Sequence, residues 1–313
     1  MVRPLSADTA PLSGVLGRIG NTPLVRLSRV LQGRVPEGVE VWAKLESHNP
    51  GGSVKDRAAL SMVLDAERRG VLESGSTLLD ASSGNTGIAY GLIAAARGYE
   101  VVLCLPKNAN AERKAMLRAF GVQIVETDPL EGSDGAILHA RRLVAEHPDR
   151  YVYLDQYNNP ANWRAHLDTT GPEIWRQTHG RITHFVACLG TSGTFTGTTR
   201  YLRSQSPDIR CVSIQPDSPF HGLEGLKHME TAIQPGFYDA GLADADLGAP
   251  TEESLQLVRD LARMEGILVG PSSGAALWGA IEVARELSDG VVVTLFPDGG
   301  ERYLSESHVF GGT

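Results

Sequence analysis

Apolar positions along this chain follow two alternating rhythms. Short, nearly continuous apolar runs suit strands buried on both faces. Between them lie longer stretches where apolar residues return every three or four positions, as on one-sided helices. The first rhythm predicts strands at 24–27, 39–45, 77–81, 101–105, 123–126, 184–189, 209–214 and 291–296, with a short extended piece at 151–154. The second predicts helices at 58–69, 87–97, 111–120, 134–146, 161–177, 194–204, 251–265 and 273–287, and a brief one at 15–19. Gly70, Gly98, Gly121 and Gly266 stand where helices are expected to stop. Residues 1–13 read as a loose arm, 267–269 as a short apolar piece, and 216–250 as a long irregular stretch. Irregular stretches of that length are uncommon in compact domains and are more often functional than not.

Strands alternating with helices across short turns predict an α/β protein. The rhythm occurs in two blocks, which predicts two open, twisted, mostly parallel sheets flanked by helices, with a cleft between them. In such sheets ligands gather at the carboxyl ends of the strands, so the loops leaving those ends are where chemistry is expected.

Composition narrows the picture a little. The chain has 313 residues, 42% hydrophobic and 21% charged, with a net charge of −8 and no long charge run. That favours solubility and speaks against a nucleic-acid surface. No apolar stretch reaches membrane-spanning length, and the first residues lack the apolar core of a signal peptide. The expected setting is the cytoplasm. Cys104, Cys188 and Cys211 each sit in or beside an apolar run, as reduced strand cysteines do. No spacing suggests zinc.

The stretch Pro50-Gly51-Gly52-Ser53-Val54-Lys55-Asp56-Arg57 is the most unusual local feature. Ser53 and Asp56 have capping-box spacing, which puts Lys55 in the first turn of a helix. The positive end of the helix dipole disfavours a cation there. An amine with reduced proton affinity is a better Schiff-base former and proton acceptor. The alternative is a solvated lysine following a cap.

Three strand-to-helix loops join it. Ser82, Ser83, Gly84, Asn85 and Thr86 offer hydroxyls, an amide and backbone N–H groups at a helix start, which suits a carboxylate or phosphate. A plain polar helix start is the alternative. Gly190, Thr191, Ser192, Gly193 and Thr194 form a glycine loop with three hydroxyls, able to turn several N–H groups onto one anion. It is neither a dinucleotide fingerprint nor a Walker loop, so a single phosphate is the natural guest. In Gly270-Pro271-Ser272-Ser273, Ser272 or Ser273 taken alone is a helix N-cap. One lysine plus one phosphate cup implies a cofactor bearing an aldehyde and a phosphate, namely pyridoxal 5'-phosphate.

With these motifs in place the chain resembles the cysteine synthase / cystathionine β-synthase family of pyridoxal-phosphate enzymes, fold type II. The resemblance runs from Gly20-Asn21-Thr22-Pro23-Leu24 through GGSVKDR, SSGNTGIA, QYNNPAN, TTGPE, GTSGT and GPSSGAA to Glu301-Arg302-Tyr303-Leu304-Ser305, nearly the whole chain. It implies that Lys55 carries the cofactor, and that Asn85 bonds the ring 3′-oxygen. It further implies that Ser82, Ser83, Gly84, Asn85 and Thr86, with Gln156 opposite, grip the substrate carboxylate. Residues 190–194 would hold the phosphate, and Ser272 would face the pyridine nitrogen. A neutral hydroxyl there gives a modest electron sink, suited to elimination across Cα–Cβ. Three positions depart from the common pattern without removing a catalytic group: Ser82, Ser192 and Pro271, which stand where the family often has threonine, glycine and isoleucine.

The reaction so implied is β-replacement on O-acetyl-L-serine or O-phospho-L-serine, with Lys55 moving the Cα proton and sulfide or a thiocarboxylated carrier protein giving L-cysteine. The competing expectations are cystathionine formation from serine and homocysteine, and a cofactor-bearing scaffold that does little chemistry. The resemblance also implies a homodimer and a smaller mobile unit, 50–160, closing against a larger one made of 1–49 and 161–313. Lys227, with His221 and His228 nearby in the long loop, is the candidate reader of a phosphate leaving group; a solvated loop lysine is the alternative.

Overall fold

The computed structural model describes residues 12–82 and 84–311; the predicted arm at 1–13 falls largely outside them. The strands are β1 (Leu24–Arg26), β2 (Val39–Leu45), β3 (Thr77–Ala81), β4 (Glu100–Pro106), β5 (Gln123–Thr127), β6 (Tyr151–Tyr153), β7 (His184–Cys188), β8 (Arg210–Pro216), β9 (Ala245–Ala249) and β10 (Gly290–Phe296). The helices are α1 (Lys55–Arg68), α2 (Asn85–Arg97), α3 (Ala111–Ala119), α4 (Gly132–Glu146), α5 (Pro160–Ala165), α6 (Gly171–Gln177), α7 (Gly193–Gln205), α8 (Thr251–Asp260), α9 (Pro271–Arg285) and α10 (Ser307–Phe310).

Two sheets form, as expected. One has six strands in the order β1-β2-β10-β7-β8-β9, parallel throughout except for β1 against β2. The other has four parallel strands in the order β5-β4-β3-β6. Helices cover both faces of each sheet. Under the small sheet Leu79, Ala81, Val102 and Cys104 pack on Ala136 and Ile137 of α4, while Leu78 and Leu103 pack on α1, α2 and α3 through Val63, Ile88 and Leu117. The large sheet buries Val41, Ile214 and Phe296 on α8 and α9, and Phe185 and Val293 on the side of α6 and α7. Burial on both faces explains the continuous apolar runs. All three cysteines are free and lie in strands. No described helix is long and apolar enough to cross a membrane.

Five expectations are corrected or refined. The stretch 216–250 contains strand β9, which pairs with the free edge of β8. It has little burial pattern of its own, so backbone pairing rather than hydrophobicity makes it a strand. The helix expected over 161–177 is interrupted by a π-turn at His166–Thr170, and the one over 251–265 widens into a π-turn at Leu261–Glu265. Neither Ser272 nor Ser273 is the cap of α9: Gly270 occupies the cap and Pro271 the first turn, where a missing N–H costs nothing. Segment 15–19 is a 3₁₀ turn spanning Gly14–Arg18.

Candidate active site

The carboxyl ends of β3, β4, β6, β7 and β10 face one another, and a cavity of about 650 Å³ lies among the loops that leave them. Lys55, Ser82, Gly84, Asn85, Thr86, Gln156, Gly190, Thr191, His221 and Lys227 all line it. A recess of about 50 Å³ adjoins it, sharing Lys55, Asn85, Gly190 and Thr191 and adding Ser192, Gly193, Thr194 and Ser272. Residues from 55 to 272 in sequence thus converge on one cleft. Ser83 lies outside the described residues. His228 lines neither space; its Nδ1 is 3.0 Å from Thr231 Oγ1.

Lys55 opens α1 as predicted, but the capping box is rearranged. Ser53 Oγ accepts the Lys55 N–H at 3.2 Å, while the Asp56 carboxylate turns back to the Gly51 N–H at 2.5 Å. Burial pushes the Asp56 carboxyl up to about 7. Exclusion from water lowers the proton affinity of Lys55, with Asp298 and Glu46 opposing the shift.

The start of α1 is held by a buried charge cluster. Arg57 is bidentate to Glu46 (2.7 and 2.9 Å) and also to Glu173 (2.7 and 2.8 Å). Lys44 meets the same Glu173 at 2.7 Å. Thr22 Oγ1 donates to Glu46 at 2.7 Å, which ties in the Gly20–Pro23 turn. Two cations and two carboxylates balance, so the desolvation of each charge is offset by its partners.

On the substrate side, Thr86 Oγ1 donates to Gln156 Oε1 (2.8 Å), and Gln156 Nε2 donates to the Ala81 carbonyl (2.9 Å). Beneath them Asp80 accepts from Tyr90 (2.9 Å) and from the Ala81 N–H (2.7 Å); burial raises its carboxyl to about 7. Lys227 reaches Asp134 Oδ1 at 3.2 Å and lies 5.0 Å from the centre of the Tyr157 ring, so it is a wall residue and not a solvated one.

A second set of polar residues was not singled out from the sequence. Asn85 donates to Asp298 Oδ2 (2.7 Å), which also accepts from Tyr303 (2.6 Å). Arg302 donates to Asn85 Oδ1 and to the Gly51 carbonyl. Gly52 has φ 77, and a Cβ there would run into the Arg302 guanidinium. Arg113 of α3 makes a bidentate pair with Glu224 (2.7 and 2.6 Å) and stacks on Tyr303 at 4.9 Å. The Glu301-Arg302-Tyr303 motif was the available signal for two of these residues; Asp298, Arg113 and Glu224 gave none.

The chemistry of the recess is that of a cup for a phosphate attached to a ring. Ser192, at φ 62, caps α7, and its buried Oγ has no partner among the described residues. The first N–H groups of α7 open there, as at other anion sites. Asn85 and Ser272 add neutral polar groups, and the Lys55 ammonium stands between recess and cavity. This donor set fits pyridoxal phosphate. No three His, Cys, Asp or Glu side chains among the described residues gather as a metal site.

Two parallel sheets with a lysine and an anion cup at their facing carboxyl ends define an α/β enzyme built around a phosphorylated aldehyde cofactor. The chain belongs to the family of pyridoxal-phosphate-dependent enzymes, whose family model matches residues 15–298. It is 56% identical over 295 residues to a cysteine synthase of Aquifex aeolicus, covering 93% of this chain and 90% of that relative. It is 47% identical over 295 residues to cysteine synthase B of Escherichia coli, covering 94% of each. Among solved structures, the cysteine synthase of Entamoeba histolytica superposes with a TM-score of 0.91 at 31% identity, covering 100% of this chain and 95% of that one.

Proposed function

We propose that this protein is a pyridoxal-phosphate-dependent cysteine synthase, replacing the β-substituent of an O-activated L-serine by sulfide. The observation that carries the reading is the placement of Lys55 on the wall of both the 650 Å³ cavity and the 50 Å³ recess that residues 190–194 line. The cysteine synthase relatives support the choice of reaction.

When bound, the cofactor supplies an electron sink for the bond electrons at Cα. Residues 190–194 would hold its phosphate, Asn85 its ring oxygen and Ser272 its ring nitrogen. Ser82, Ser83, Gly84, Asn85, Thr86 and Gln156 would hold the substrate carboxylate. Lys55 takes the Cα proton as general base, and its lowered proton affinity suits that task. It returns the proton once sulfur has added to Cβ. The unit 50–160 closes over the cavity, excluding water while Cβ is reactive. The enzyme works as a homodimer in the cytoplasm, with either sulfide or a sulfur-carrier protein as donor.

The test is direct. The cofactor spectrum of the purified protein should shift on adding O-acetylserine, and cysteine should appear on adding sulfide. An unchanged spectrum would support the scaffold alternative. Product from serine plus homocysteine, with none from sulfide, would favour the cystathionine alternative. Hydrogen exchange over 50–160 should slow with amino acid bound; identical patterns would refute closure.

A further inference from the structure

We propose that His166 is a positioning residue for the 190–194 loop: a neutral imidazole whose Nε2–H donates to Thr194 Oγ1, leaving the threonine's own hydroxyl hydrogen for a bound phosphate. The identity of that phosphate rests on the cofactor reading above; the hydrogen-bond polarity needs only that the cup holds an anion.

His166 is 2% exposed and begins the π-turn between α5 and α6. Its Nδ1 lies 2.9 Å from Thr170 Oγ1, and its Nε2 lies 3.3 Å from Thr194 Oγ1. The turn is not incidental to this placement. Pro172 has no N–H to continue an α-helical ladder, and the Gly171 N–H closes the wider ring onto the His166 carbonyl. Helix α7 then lies directly on the turn. A Cβ on Gly197 would come within 2.8 Å of the His166 Cβ, and one on Gly171 within 2.6 Å of the Tyr201 Cβ. Both glycines permit the approach that brings the ring to Thr194. Single π-turns within α-helices are frequent at functional sites.

Charge decides the rest. Burial and the Arg57 guanidinium press the imidazole pKa down to about 3, with Lys55 adding to the effect and Glu46 and Glu173 opposing it. The ring is therefore neutral at working pH, with one nitrogen donating and the other accepting. If Nε2 accepted, Thr194 would commit its one hydrogen to the ring and turn lone pairs toward the cup, against an anion. If Nε2–H donates, Thr194 accepts from the ring and donates to the phosphate. Thr170 then completes the chain by donating to Nδ1, the one side-chain partner its hydroxyl has among the described residues.

The experiment uses holoprotein labelled with ¹⁵N at its nine histidines and long-range proton–nitrogen correlation, with His166→Gln identifying the signal. The expected result is an Nε2–H tautomer that stays neutral from pH 8 to pH 5. An Nδ1–H tautomer, or protonation near the free-histidine value, would overturn the proposal. Retention is measured in parallel. His166→Leu should weaken pyridoxal phosphate binding about tenfold while leaving pyridoxal, which lacks the phosphate, unchanged. His166→Gln, which keeps a donor, should restore the difference. Equal loss of both ligands would mean a merely structural histidine and would overturn the proposal. Should the leucine variant not fold, the wild-type tautomer decides. A protein that binds no pyridoxal phosphate but shows the Nε2–H tautomer would refute the cofactor reading alone.

Discussion

Replacing Glu173 by glutamine tests how the start of α1, and with it Lys55, is held. Glu173 accepts from Arg57 at 2.7 and 2.8 Å and from the Asn21 N–H at 2.9 Å, and it meets Lys44 at 2.7 Å. Its side chain is 6% exposed, against 1% for Arg57 and 0% for Lys44. Glutamine keeps the shape but leaves two cations facing Glu46 alone, and it turns an NH₂ toward groups that can only donate. Removing one partner from a buried ion pair costs about 3–5 kcal/mol. A second route gives a similar figure. The Arg57 and Lys44 charges hold the Glu173 carboxyl at about 2, below its ordinary 4.5, and that gap corresponds to about 3 kcal/mol. A depressed folded-state pKa contributes stability that is present above the unfolded value and lost as pH falls toward the folded one. Urea unfolding of both proteins should therefore show a penalty of about 3 kcal/mol at neutral pH, shrinking by about 1 kcal/mol at pH ~3.5. The double variant Lys44→Met, Glu173→Leu leaves Arg57 and Glu46 balanced and should cost less than Glu173→Gln alone. A neutral-pH penalty below about 1 kcal/mol, or one that ignores pH, would refute the argument.

Three further outcomes are expected. Lys55→Ala should abolish the absorbance of lysine-attached cofactor and stop turnover; retained synthase activity would sink the assignment. Lys227→Ala should lower kcat/KM for O-phosphoserine about tenfold to a hundredfold, the range of a charge-assisted contact, with the low end favoured because Asp134 at 3.2 Å shares the charge. O-acetylserine should be little affected, and equal losses would show that Lys227 does not read the leaving group. Burial raises the Asp80 carboxyl to about 7, so the folded state binds the extra proton and stability falls as pH rises toward that value. Asp80→Asn should gain on the wild type by about 2 kcal/mol between pH 5 and pH 8; a pH-independent difference between the two would contradict this.

The strand-to-helix loops around Lys55, Ser82–Thr86 and residues 190–194 were legible in the sequence because their chemistry is local. Small and polar residues at a helix start are often plain caps, but runs as long as these exceed what a cap requires. Two parallel sheets were legible too, since burial on both faces leaves a continuous apolar signal. Strand β9 was not, because the open edge of β8 makes it a strand and its own side chains do not. The π-turn was hidden because Gly171 and Pro172 change the hydrogen-bond ring without disturbing the apolar spacing around them. Asp298 and Arg113 look like ordinary surface charges along the chain, yet both are buried. Asp298 meets Asn85 across 213 residues, and Arg113 meets Glu224 across 111. A charge carries no local mark of whether it will be buried. Packing of distant loops removes its water and supplies its partner, and only the tertiary structure decides that.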